Sequence, residues 1–247
     1  MRTILAIIVS AAISGSAAYF YLHTQHASVA ISSDIIKLQT AHAFVEKRIS
    51  DIKEDLSLRL VHFSKEVESD RDFAMSLLAH NNRSAPAVTS AAVRYIKPMG
   101  FSILEIVDSE SVILSSGHFP ANAGNRMSEK SRTLDQNALV IKDNIKGEEL
   151  LTLQSRHSFS IADVPFSVMG GIIIDEVFLK SLVPHQQVDI LLKKGDTVKG
   201  MNVQSISPLV DGKIIINNRE YHASSVELDR SQGETICELI IIAEIKN

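Results

Sequence analysis

Between Ser33 and Leu78 the chain contains neither glycine nor proline, and its apolar residues keep a helical spacing. Val45, Ile49, Ile52, Leu56, Leu60, Phe63 and Val67 follow one another in steps of 4, 3, 4, 4, 3 and 4. That is a doubled eleven-residue repeat of about 3.67 residues per turn, so the stripe drifts little along a nearly straight helix. Glu46, Lys47, Asp51, Lys53, Glu54, Asp55, Lys65, Glu66, Glu68, Asp70 and Arg71 occupy the remaining surface. Ser33 followed by Asp34 supplies a start. A helix with one apolar face must cover it. Part of this one is expected to lie on a sheet as a core helix. The part nearer the N-terminus has no evident domain to lie on, and a parallel homodimer through the long helix is the expected cover.

Upstream, residues 4–22 carry no charge and are entered through Arg2. About twenty apolar residues suffice to cross a bilayer core, and a positive N-terminal flank stays in the cytoplasm. A cleaved signal peptide would use Ser16-Ala17-Ala18 as its small-residue site. The apolar run continues past it through Tyr19, Phe20, Tyr21 and Leu22, which fits a retained anchor with an interfacial aromatic belt. Residues 1–30 are therefore expected to be an inner-membrane anchor, single-pass, with the bulk of the chain extracytoplasmic.

The chain has 247 residues, 45% of them hydrophobic and 22% charged, as in an ordinary globular protein. A net charge of −4 offers no basic field for nucleic acid. Cys237 is the single cysteine, so there is no intrachain disulfide framework, and its apolar surroundings read as a buried small hydrophobe.

A second helix is expected over 85–97, capped by Ser84, with Pro86 in its first turn and Pro98 and Gly100 ending it. The period then changes. Phe101–Val107 reads as a strand, Asp108-Ser109-Glu110 as a turn and Ser111–Ser115 as the returning strand. Residues 116–137 are rich in Ser, Gly and Asn and read as irregular. Glu149–Ile161 and Pro165–Ile174 form a further hairpin that turns near Asp163-Val164. Gly170-Gly171 in its second strand predicts a bulge or a close backbone approach. Asp175 caps a short helix, Glu176–Leu182. Val188–Leu192, Lys213–Ile216, Tyr221–Leu228 and Ile236–Ile242 are the remaining strands. Asp211-Gly212 and Asn217-Asn218 are two-residue turn signals.

Ile103-Leu104-Glu105-Ile106-Val107-Asp108-Ser109-Glu110-Ser111-Val112-Ile113-Leu114-Ser115-Ser116-Gly117 resembles the central hairpin of the extracytoplasmic Cache-type, PAS-like sensor domains of bacterial membrane-bound histidine kinases and chemoreceptors. The run from Gly170-Gly171 into Asp175-Glu176-Val177-Phe178-Leu179 looks like that family's last sheet strand entering a membrane-proximal module. Ile190–Val198 is similar to the strand that follows. The resemblance implies an α+β fold: an N-terminal transmembrane helix, a long membrane-distal helix, a PAS-like antiparallel sheet over 31–183 and a smaller β-rich membrane-proximal module over 184–247.

It further implies a ligand-sensing domain of two-component type that passes a conformational shift along its long helix. The family normally returns through a second membrane helix into a kinase region. Leu239–Ala243 is too short to span, so a truncated sensor or a stand-alone anchored domain is expected. The Arg-plus-Trp pocket motif of the amino-acid-binding subgroup has no counterpart, since the chain lacks tryptophan.

No H-E-x-x-H, G-x-S-x-G, P-loop or dinucleotide fingerprint occurs, so neither catalysis nor a cofactor is expected. His23 and His26 stand i, i+3 without a further ligand nearby, and no metal site is expected. Arg94 and Tyr95 from the second helix, Ser115, Ser116 and His118 at the hairpin end, and Arg126 and Arg132 from the irregular segment are expected to line one concave face. The arginines there would suit a small anionic ligand. An anchored envelope scaffold without a ligand is the alternative.

Overall fold

A computed structural model describes residues 2–79, 81–127, 132, 138–145, 148–183, 188–195, 197–200, 203–229 and 237–245, with most side chains included from residue 35 onward. Helix α1 (Arg2–Ser69) is continuous, so Ser33 is an interior residue of it and not its start. Among the described residues no helix is long and apolar enough to cross a membrane. The stretch 4–22, on which the expected anchor rests, lies outside the residues whose side chains are described.

The apolar stripe of α1 goes where its period directs it. Val45, Ile49, Leu56, Leu60, Phe63 and Val67 are buried, with Ile52 packed beside them in the main core. Fully burying side chains of this size contributes about 1.5–3 kcal/mol each before entropy is counted. Leu38 and Ala41 are buried as well, because α1 crosses two sheets in succession. The chain's own second sheet thus covers the portion from Leu38 onward for which a partner helix was expected.

The first sheet contains β1 (Ile103–Asp108), β2 (Ile113–Ser116), β3 (Leu139–Ile145), β4 (Glu148–Ile161) and β5 (Val164–Ile173), in the order β2-β1-β5-β4-β3. The second contains β6 (Asp189–Lys194), β7 (Thr197–Lys199), β8 (Lys213–Ile216), β9 (Arg219–Asp229) and β10 (Cys237–Glu244), in the order β7-β6-β10-β9-β8. Strand for strand, the second sheet repeats the topology of the first. The repeat is one of connection order, which is why no repeat is visible in the residues. Both sheets are antiparallel.

Local chemistry sets the turns. Asp108 Oδ1 accepts the N–H groups of Glu110 and Val112, both at 2.9 Å, and closes the β1–β2 turn. Asp211-Gly212 and Asn217-Asn218 turn with positive φ at both residues, as two-residue hairpins require. The β4–β5 turn falls on Ala162-Asp163 (φ 48° and 64°), one residue before the expected place.

The second helix differs from expectation. It is two short pieces, α2 (Pro86–Thr89) and α3 (Ala91–Tyr95), separated at Ser90. Ser90 Oγ donates to the Pro86 carbonyl at 2.6 Å, a local bond that competes with continuation of the helix. The N-cap is Ala85, without a side-chain bond. Ser84 instead donates its N–H to Asn82 Oδ1, so it belongs to the preceding turn. After the second strand hairpin, Asp175 caps α4 (Glu176–Ser181) by accepting the Phe178 N–H at 2.8 Å.

Gly170 and Gly171 mark a close approach, and the ladders run through them without a register shift. A Cβ on Gly170 would stand 2.7 Å from Leu60 Cδ2 and 2.8 Å from Phe101 Cε1. Only a residue without a side chain lets α1 seat this closely on β5.

Candidate functional site

Alternation along the strands divides the first sheet into two faces. Leu104, Ile106, Leu114 and Val168 turn toward α1 and join the main core. Glu105 and Val107, paired with Ser116 and Ile113 on β2 and with Met169 and Ser167 on β5, share the opposite face. Thr152, Gln154, Arg156 and Ser158 of β4 extend that face through their β5 partners. The face has an apolar half, where Val107, Ile113, Met127, Ile141 and Met169 form their own cluster. Its other half is polar and buried.

The polar half is centred on Glu105, which is only 4% exposed. Its Oε1 accepts from Asn122 Nδ2 at 3.1 Å and lies 3.8 Å from His118 Nε2, on a side chain 7% exposed. His118 Nδ1 lies 3.3 Å from Ser116 Oγ, which also accepts the Phe119 N–H at 3.3 Å. A buried carboxylate needs such partners, because its desolvation is costly without them. The segment after β2 brings them. A 3-10 turn (Pro120–Asn122) folds back over the face, and Gly124–Met127 then runs along the edge of β2 through Ile113 N–H to Asn125 O at 2.9 Å. The sheet edge is thereby covered and a polar cup closes over Glu105.

Of the expected site residues, Ser116 and His118 meet in this cup. Ser115 does not. It points to the other face, where its Oγ donates to the Thr89 carbonyl at 2.7 Å and accepts the Ala92 N–H at 2.9 Å. Arg94 and Tyr95 lie on that same helix-bearing side. Arg94 Nη2 is 2.6 Å from Asp70 Oδ2, and Tyr95 packs its ring 5.5 Å from Phe63 with its hydroxyl 3.5 Å from Glu66 Oε2. Both hold helices to one another and do not join the cup. Arg126 forms a backbone bridge with Val112 at the covered edge, and its side chain is exposed. Arg132 donates from Nε to the Met127 carbonyl at 3.2 Å.

Sequence reasoning passed over Glu105, Asn122 and Arg156. Glu105 interrupts the apolar run Ile103–Val107, and a charged residue at an inward strand position was the signal that could have found it. Arg156 is half-buried, and its Nη2 donates to Ser167 Oγ at 2.8 Å. Burial lowers its pKa from the usual arginine range.

Asp70 carries the other resolved shift. Burial acts to raise its pKa, but the Phe73 N–H bond and the Arg94 guanidinium outweigh it and hold the carboxyl below its ordinary 3.8. A depressed carboxyl contributes stability above its unfolded value and loses it as the pH falls through the folded one. The stability gap between wild type and Asp70→Asn is therefore expected at neutral pH and shrinks below about pH 4. Chemical denaturation of both proteins across that range checks it, and a gap independent of pH would contradict the assignment.

Two antiparallel five-stranded sheets of one topology, threaded on a single long helix, are the fold of the extracytoplasmic Cache/PAS-like sensor domains. The sensor domain of the Vibrio cholerae histidine kinase DctB matches with a TM-score of 0.54 at 9% identity, over 85% of this chain and 98% of that one. The ligand-binding domain of the Pseudomonas fluorescens chemoreceptor CtaA, in complex with L-isoleucine, matches with 0.54 at 8% identity over 89% and 96%. The periplasmic domain of Vibrio cholerae LuxQ matches with 0.50 at 11% identity over 84% and 100%. No protein-family model matches the chain. No curated protein matches it either.

Proposed function

We propose that the chain is the extracytoplasmic sensing part of a membrane-bound signal-transduction protein of the two-component histidine kinase type, and that it binds a small molecule without catalysis. The observation that carries this is the buried polar cup of Glu105, Ser116, His118 and Asn122 on the face of the first sheet turned away from α1. Convergent polar groups beside an apolar wall are what a small-molecule site needs. The fold supports the reading, since the neighbouring structures are sensor and ligand-binding domains.

Residues 31–183 would form the sensing module, with 184–247 as the smaller membrane-proximal one. Residues 4–22 would anchor the chain in the inner membrane. A ligand that binds two packings of sheet against helix with different affinity would shift their populations, and α1 would carry that shift inward. The outward face of α1 exposes Ile36, Phe44 and Leu58 and would pair with a second copy.

Thermal-shift screening of the full chain in detergent against organic acids, amino acids, phosphates, sugars and amines tests the reading. At least one class should raise the melting temperature, and Ser116→Leu should abolish that rise. Light scattering on the same preparation should give the mass of a dimer. No stabilisation by any class would sink the sensory reading.

A further inference from the structure

We propose that the segment Gly117–Met127, which covers the edge of β2, is a proton-operated latch. Charged His118 closes it on buried Glu105, and neutral His118 loosens it. The inference goes beyond the sensory reading, because protons alone set the latch whatever small molecule the cup takes.

The segment has little apolar surface to hold it down. Its 3-10 turn, Pro120–Asn122, buries none of its own residues, and Phe119 beside it is 44% exposed. Met127, at the far end, is buried in the apolar half of the face. Along the edge the segment is tied by backbone. Gly124 N–H donates to the Ile113 carbonyl and Met127 N–H to the Ser111 carbonyl, both at 2.8 Å. Across the face it is tied by side chains, since Asn122 and His118 both reach Glu105 Oε1. A segment with few buried apolar contacts opens at low free-energy cost, so its polar ties set how often it opens.

One of those ties changes with pH. The His118 and Glu105 side chains are 7% and 5% exposed, so water solvates neither well. An imidazolium beside the carboxylate makes an ion pair, and a neutral imidazole removes the charge from that tie. Histidine is the side chain that ordinarily changes charge between about pH 5 and 8. A histidine that gains an acid on folding stabilises the folded form while protonated. That contribution is lost as pH rises through its titration.

The surroundings of the pair are otherwise neutral or turned elsewhere among the described residues. β2 brings Ser116, whose Oγ is 3.3 Å from His118 Nδ1, β5 brings Met169 beside Glu105, and the covering turn brings Asn122. Arg156 of β4 lies beyond Met169 in the same row, with its Nη2 bonded to Ser167. Arg132 Nε bonds the Met127 carbonyl, and Arg126 is exposed at the covered edge. Arg94 answers Asp70, and Asp108 answers Arg83.

The test uses the full chain in detergent, with no ligand added. Amide hydrogen exchange is read by mass spectrometry at about pH 6 and about pH 8.5 and corrected for the intrinsic exchange rate. The peptide spanning Gly117–Met127 should open about 10-fold more often at the higher pH, while a β10 peptide keeps its protection. His118→Gln, which keeps a donor but cannot titrate, should remove the response. Glu105→Gln should remove or reverse it, because a buried imidazolium without an acid is disfavoured. His42→Gln, whose wild-type ring meets Ser224 on the second sheet, should leave it intact.

Equal protection of the segment at both pH values in wild type overturns the proposal, as does a response of opposite sign. A wild-type response in Glu105→Gln or His118→Gln overturns it as well. Should both variants fail to fold, the ring resonances of His118 in the wild type decide. Their titration and the loss of protection must share a midpoint, and a separation of more than about one pH unit overturns the latch. The sensory reading is decided by ligand screening, so the two fail separately.

Discussion

Phe63→Ala is expected to lower the unfolding free energy by about 3–5 kcal/mol. The ring is fully buried on α1, in the core shared by the helix and the first sheet, and it packs 5.5 Å from Tyr95 at a tilt of 56°. Truncation removes its transfer energy, leaves a cavity and deletes an aromatic pair worth about 0.5–1.5 kcal/mol. The chain has no tryptophan, so urea denaturation followed by far-ultraviolet circular dichroism is the suitable measurement. A loss under about 1 kcal/mol would mean that α1 is not seated on the sheet as described.

Gly170→Val should destabilise by about 1–3 kcal/mol or more, through overpacking in place of a cavity. The new side chain has to displace Leu60 and the Phe101 ring, both already within 3 Å of where its first carbon would stand. Because the clash is specific, Leu60→Ala in the same chain should restore part of the loss, although Leu60→Ala alone is costly. Such opposite-sign coupling is expected only of residues in contact. Simple additivity in the double-mutant cycle would place Gly170 elsewhere than under α1.

These two sites differ in how well the residues announce them. The stripe containing Phe63 was legible because helical period is a local property, and each member of that stripe from Val45 to Val67 is buried or packed on the core as its spacing requires. The turn at Asn217-Asn218 and the cap at Asp175 were legible for the same reason, since each depends on a few adjacent residues. Gly170-Gly171 signalled a close approach but could not say to what. What α1 lies on near Leu38 was not legible either. The second sheet supplies that cover through residues far along the chain, such as Ser224, whose Oγ lies 3.3 Å from His42 Nδ1.

The candidate site was half legible. Ser116 and His118 stood out by chemistry and do meet. Arg94 and Tyr95 have the same chemistry, yet they answer Asp70, Glu66 and Phe63 on the other side of the sheet. Two adjacent serines make the point in miniature. Ser115 binds the helices and Ser116 the cup, because consecutive strand residues face opposite ways and register alone decides which.

What the amino-acid order determined by itself is the set of elements: a straight amphipathic rod, most of the strands and several of their turns. Their residues carry period, capping and turn chemistry within a few positions of one another. Tertiary structure alone decided that the two sheets share one topology, and that Ser116 and His118 meet Glu105 and Asn122 while Arg94 and Tyr95 do not. Those relations come from pairing strands distant in sequence, and side-chain period along one strand says nothing about which neighbour it will find.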